Sequence, residues 1–146
     1  MKEEHTVYLG LGSNMGNRME QLNLACQKIE RLIGNIVRQS AYHESEPWGF
    51  ESENLFLNAV VCCHTTLSPR QLLRVTQRIE RQLGRQQKTS HDGVYHDRPI
   101  DIDILLYDNL HVDEPDLIIP HPRMQLRSFV MEPLREILPK EEDVLS

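Results

Sequence analysis

The segment 98–108, Arg-Pro-Ile-Asp-Ile-Asp-Ile-Leu-Leu-Tyr-Asp, restricts the fold more than any other part of the chain. Isoleucines alternate with aspartates, and β-branched residues at that period specify a strand rather than a helix. Successive side chains of a strand point to opposite faces. Asp101 and Asp103 therefore stand on one face, about 6.5 Å apart at their α-carbons, with Ile100, Ile102 and Ile104 on the other. Two carboxylates held together either destabilise the chain or drive one of the pair to take up a proton, unless a cation lies between them. A divalent metal ion is the simplest such cation.

A chain of 146 residues fits a single domain, 1–146, and buries enough apolar surface to fold alone. Its formal net charge of -6 argues against a general nucleic-acid or anionic-membrane binder, because both need a basic surface. No apolar run approaches membrane length. The opening Met1-Lys2-Glu3-Glu4-His5 lacks the apolar core of a signal peptide, so a cytoplasmic location is expected. Cys26, Cys62 and Cys63 sit inside apolar patterns, which supports a reducing compartment, and Cys62 and Cys63 read as buried, reduced packing residues.

Taken in order, residues 7–11 read as a buried strand running into the turn formers Gly12-Ser13-Asn14-Met15-Gly16-Asn17. Gly10, Gly12 and Gly16 form GxGxxxG, one residue too long for a dinucleotide-binding fingerprint. Asn17 caps a helix whose stripe is Leu22, Cys26, Ile29 and Ile33, and Gly34 stops it. A partly polar strand at 36–42 reads as lying near an edge. A loop over 43–54 carries the only tryptophan, Trp48, which either packs on the scaffold or touches a ligand. Residues 56–64 read as a buried strand in which Asn58 must bond backbone or a ligand. Ser68, Pro69 and Gln71 open a second helix with a capping box. Its stripe is Leu72, Val75, Ile79 and Leu83, and Gly84 ends it. After the long polar loop 85–99 come the aspartate strand, a small hairpin, the stiff Pro120-His121-Pro122 segment, and a helix near 128–138 interrupted by Pro133. The order β, α, β, β, α, β is that of an α+β, ferredoxin-like sandwich with an added hairpin and a C-terminal helix.

Hard carboxylate oxygens suit magnesium, which takes one or two carboxylates and completes its shell with water and phosphate oxygens. Arg85, Arg98, His121 and Arg127 flank the pair in sequence, a set suited to a polyphosphate. No GxxxxGK(S/T) loop is present, so a nucleotide site here is not of the P-loop kind. Asp-x-Asp strands also occur in nucleases, in glycosyltransferases and on plain surfaces, so these residues alone leave a phosphohydrolase or a non-catalytic binding module open.

Further motifs narrow the choice. Gly12-Ser13-Asn14, Tyr42, Glu46-Pro47-Trp48-Gly49, Phe56-Leu57-Asn58-Ala59-Val60, Gln77-Arg78-Ile79-Glu80, Gly84-Arg85, the 98–105 strand, Pro120-His121-Pro122-Arg123-Met124 and Arg127-Ser128-Phe129 follow one another in order. Together they resemble the 6-hydroxymethyl-7,8-dihydropterin pyrophosphokinase family. The resemblance implies transfer of pyrophosphate from ATP to the pterin's hydroxymethyl group in folate biosynthesis. It implies two magnesium ions on Asp101 and Asp103, and catalytic roles for these two with Arg85 and Arg98. It places ATP on Gln77, Arg85, Arg98, His121 and Arg127, and the pterin among Glu44, Trp48, Phe56, Asn58 and Phe129. A monomer acting on small molecules, without nucleic acid or membrane, is expected. Where many family members have Arg-Trp-Gly-Pro-Arg before the aspartates, this chain has Val94-Tyr95-His96-Asp97-Arg98.

Overall fold

A computed structural model of the chain describes residues 3–46, 54–84 and 99–139. The first strand, β1 (His5–Ser13), leads into α1 (Arg18–Leu32), and Asn17 Oδ1 caps that helix by accepting from Glu20 N at 3.1 Å. Strands β2 (Ile36–Gln39), β3 (His43–Ser45) and β4 (Phe56–Thr65) follow. Helix α2 (Pro69–Gln82) opens on the reciprocal bonds of a capping box, Gln71 N to Ser68 Oγ and Ser68 N to Gln71 Oε1. Strand β5 (Asp101–Tyr107), the hairpin β6 (Val112–Glu114) and β7 (Leu117–Ile119), a single 3-10 turn and α3 (Ser128–Ile137) complete the described chain.

The main sheet is antiparallel, in the order β2-β4-β1-β5, the order of a ferredoxin-like sandwich. One face carries Leu9, Leu11, Leu57, Val61, Ile102 and Ile104 against Leu22, Ile29, Leu72 and Ile79 of the two long helices. The opposite face carries Tyr8, Val60, Cys62, Leu105 and Leu106 against Val130, Met131, Leu134 and Ile137 of α3. Each fully buried leucine or isoleucine in these layers contributes about 1.5–3 kcal/mol relative to exposure.

Strand β5 forms one edge, and its alternation is as the sequence specifies: Ile102 and Ile104 are buried, while Asp101 and Asp103 are half-buried on the other face. A register shift then explains why the pattern becomes fully apolar. Leu9 opposes Ile104 and Tyr8 opposes Leu106, so Leu105 is an extra residue, and both leucines pack beneath α3.

The structure corrects three expectations. The strand read over 36–42 ends at Gln39. Residues 43–45, expected in a loop, form β3, which pairs with β4 in the register His43 to Asn58 and Ser45 to Phe56. Helix α3 runs without a break through Pro133, which is buried. Pro133 lies just beyond the first helical turn, so the helix gives up a single bond, that to the Phe129 carbonyl. None of the three cysteines forms a disulfide, and burial pushes the Cys63 thiol up to about 12 and the Cys26 thiol up to about 11.

Candidate active site

The face of the sheet opposite α1 and α2 is only partly covered by α3. Beyond the helix, a cavity of about 350 Å³ opens over the ends of three strands. Strand parity determines its floor: Gly10 and Gly12 from β1, Phe56 and Asn58 from β4, Asp101 and Asp103 from β5. The two aspartates lie opposite the two glycines, Asp103 beside Gly10 and Asp101 beside Gly12. A Cβ at Gly12 would sit 3.3 Å from Asn58 Oδ1 and 3.5 Å from the Phe56 ring, so the missing side chain keeps this part of the floor open.

A buried carboxylate supports β5 from below. Glu80, on α2, accepts from the Ile102 backbone N–H at 2.7 Å, at the peptide lying between the two aspartates. This bond satisfies an edge-strand donor and fixes the strand whose other face carries Asp101 and Asp103.

The far wall comes from the C-terminal segment, with His121, Arg123, Arg127 and Phe129 lining the cavity. His121 donates its backbone N–H to the Leu105 carbonyl at 3.1 Å, which fastens this wall to β5. Arg127 precedes the first turn of α3, and its guanidinium carbon lies 5.8 Å from the centre of the Phe129 ring. Ser45 and Glu46 close the side next to β4. The cavity is thus lined by two carboxylates, two guanidinium groups and two aromatic rings, a set able to hold a flat ring and an anionic chain together.

Of the residues that the sequence proposed, Phe56, Asn58, Asp101, Asp103, His121, Arg127 and Phe129 meet at this cavity. Trp48, Arg85 and Arg98 lie outside the described residues. Two others are placed elsewhere. Glu44 is exposed on the opposite side of β3, where its carboxylate accepts from Arg18 Nη2 at 2.8 Å, and Gln77 is half-buried on α2, apart from the residues that line the cavity. Ser45, Arg123 and Glu80 were not singled out from sequence. Arg123 belonged to the Pro-His-Pro-Arg motif, but no period marked it. Glu80 belonged to the Gln77-Arg78-Ile79-Glu80 motif, but its place among the charged residues of α2 gave no sign that it is buried.

Magnesium fits the donor set. Two carboxylates share a face and open on the cavity, while no group of three or more His, Cys, Asp or Glu residues able to hold a metal occurs among the described residues. An ion with one or two protein carboxylates, the remaining positions taken by water and phosphate, needs no closed cage.

The profile of 7,8-dihydro-6-hydroxymethylpterin-pyrophosphokinase (HPPK) matches residues 8–139. The 2-amino-4-hydroxy-6-hydroxymethyldihydropteridine pyrophosphokinase of Porphyromonas gingivalis is 51% identical over 134 residues, covering 91% of this chain and 90% of that protein. Its namesake in Aquifex aeolicus is 40% identical over 134 residues, covering 92% of this chain and 81% of the other. Among solved structures, a Plasmodium falciparum HPPK-DHPS matches the fold with a TM-score of 0.79 at 17% identity, over 99% of this chain and 44% of that longer one. The chain belongs to the 7,8-dihydro-6-hydroxymethylpterin-pyrophosphokinase family and is a pyrophosphotransferase of folate biosynthesis.

Proposed function

We propose that the described cavity is where pyrophosphate passes from ATP to the hydroxymethyl oxygen of 6-hydroxymethyl-7,8-dihydropterin, releasing AMP. The observation that carries this reading is the meeting of two aromatic rings, Phe56 and Phe129, with two carboxylates, Asp101 and Asp103, around one cavity of about 350 Å³. That volume suits a bicyclic ring.

In this reading the pterin lies between Phe56 and Phe129 with Asn58 at its polar edge. Asp101 and Asp103 would hold magnesium, which would supply positive charge against that of the polyphosphate. Arg127, Arg123 and His121 oppose the charge spread over the transferred group, a preorganised arrangement that costs no reorganisation at the moment of reaction. Arg85 and Arg98 join them on the family resemblance. The protein's contribution is chiefly positional: a fixed hydroxymethyl oxygen in line with the phosphoryl group turns a bimolecular encounter into an intramolecular one.

The test incubates the protein with magnesium, ATP and 6-hydroxymethyl-7,8-dihydropterin and follows the nucleotide product. Pterin-dependent AMP is the expected result. ADP as the product, or ATP loss indifferent to the pterin, would overturn the proposal.

A further inference from the structure

Asn58 is 4% exposed and lies opposite His43 on one side and Gly12 on the other. Its side-chain Nδ2 donates to the His43 carbonyl at 3.1 Å and to Ser45 Oγ at 2.8 Å. An amide NH₂ has two hydrogens, and these two acceptors use both. Oδ1 accepts nothing from the described residues and lies on the cavity side, 3.3 Å from where a Gly12 Cβ would stand.

An asparagine amide can in general be turned over, exchanging its donor and acceptor. Here it cannot, because the His43 carbonyl has no proton to give, and a turned amide would set two carbonyl oxygens against each other. The hydroxyl of Ser45 could serve either orientation, so the carbonyl chooses the polarity and the hydroxyl holds the second hydrogen. Strand β3 makes this possible: its parity sends Glu44 to solvent and leaves Ser45 beside the cavity.

From this geometry we infer that Ser45 is a positioning residue which, with the His43 carbonyl, locks the Asn58 amide so that only its oxygen faces the ligand. Asn58 then acts as an acceptor alone, and the ring edge bound there must present an N–H. A ring with a bare acceptor at that place would oppose oxygen with a lone pair and lose the bond. The ligand half of the inference rests on the pterin reading of the cavity, whereas the lock itself belongs to the unliganded protein.

Two measurements test it. In the unliganded, ¹⁵N-labelled protein, the Asn58 side-chain amide is identified by its disappearance in Asn58→Asp. Both its protons should exchange slowly with water in the wild type and in Ser45→Thr, and one should exchange about tenfold faster in Ser45→Ala. Equal exchange in the wild type and Ser45→Ala would overturn the lock. In the second measurement, the dissociation constant for 6-hydroxymethyl-7,8-dihydropterin should rise roughly three- to tenfold in Ser45→Ala and recover in Ser45→Thr. In an Asn58→Ala background, Ser45→Ala should cost nothing further, since Ser45 acts only through the amide. An added loss in the double variant would refute the positioning role. If the wild type fails to bind the pterin, the proposed substrate falls, while the exchange measurement still decides whether the lock exists.

Discussion

Asp101 and Asp103 occupy the end of an edge strand, each opposite a glycine, and nothing in the hydrophobic layers requires a carboxylate at either position. Replacing Asp103 with asparagine keeps the shape and removes one of two like charges. Turnover is expected to fall by at least about 100-fold while unfolding stability changes by no more than about 1 kcal/mol. Steady-state kinetics and urea titration of Asp103→Asn decide the matter, and near-normal turnover would remove the metal assignment. These two positions were legible in the sequence because the alternation with isoleucine left their face in no doubt. Glu44 shows the opposite case. A residue read as part of a loop has no parity, so its direction could not be derived, and the neighbouring Ser45 became visible only when β3 gave the segment a period.

Among the elements, those with strong local chemistry were legible and those that depend on distant partners were not. The capping box of α2 and the apolar stripes of both long helices needed only the sequence. Strand β3, the polar triplet His-Glu-Ser, is a strand only because the first residues of β4 lie beside it. The bulge at Leu105 and the unbroken course of α3 through Pro133 likewise depend on how packed layers meet. Gly34 is a further instance. Its position after α1 suggested a helix stop, but the structure gives it a second duty: a Cβ there would lie 1.8 Å from the His64 carbonyl oxygen, which is backbone and cannot swing aside. Gly34→Ala is therefore expected to destabilise the fold by about 2–3 kcal/mol, by driving the α1–β2 connection away from β4. Urea unfolding measures this, and an unchanged midpoint would show that the connection shifts freely.

At the scale of the whole molecule, the two sides of the cavity are fastened to each other by contacts remote from it. The Glu136 carboxylate of α3 accepts from the Ala41 backbone N–H at 2.9 Å and pairs with His43, and Arg38 Nη1 donates to the Ile137 carbonyl at 2.8 Å. The Ala41 amide, with His43 adding to it, holds the Glu136 carboxyl below its ordinary pKa near 4.5. A carboxyl whose pKa is lower in the folded than in the unfolded chain stabilises the fold fully above the unfolded value, and that contribution is lost as pH falls through the folded one. Stability should thus decline as pH drops below about 4.5, and Glu136→Gln should flatten that decline, as read from urea midpoints across pH. A variant as acid-sensitive as the wild type would assign the decline to other carboxylates. The strands that floor the cavity share a property that follows from their alternation. Along β4, residues 56, 58 and 60 face the cavity side while 57, 59 and 61 face α1 and α2, and residues 10 and 12 divide from 9 and 11 along β1 in the same way. Cavity lining and core packing are thereby written on alternate letters of the same short words. Selection can respell one set and leave the other intact, whereas a one-residue insertion within such a strand would exchange the two sets at once.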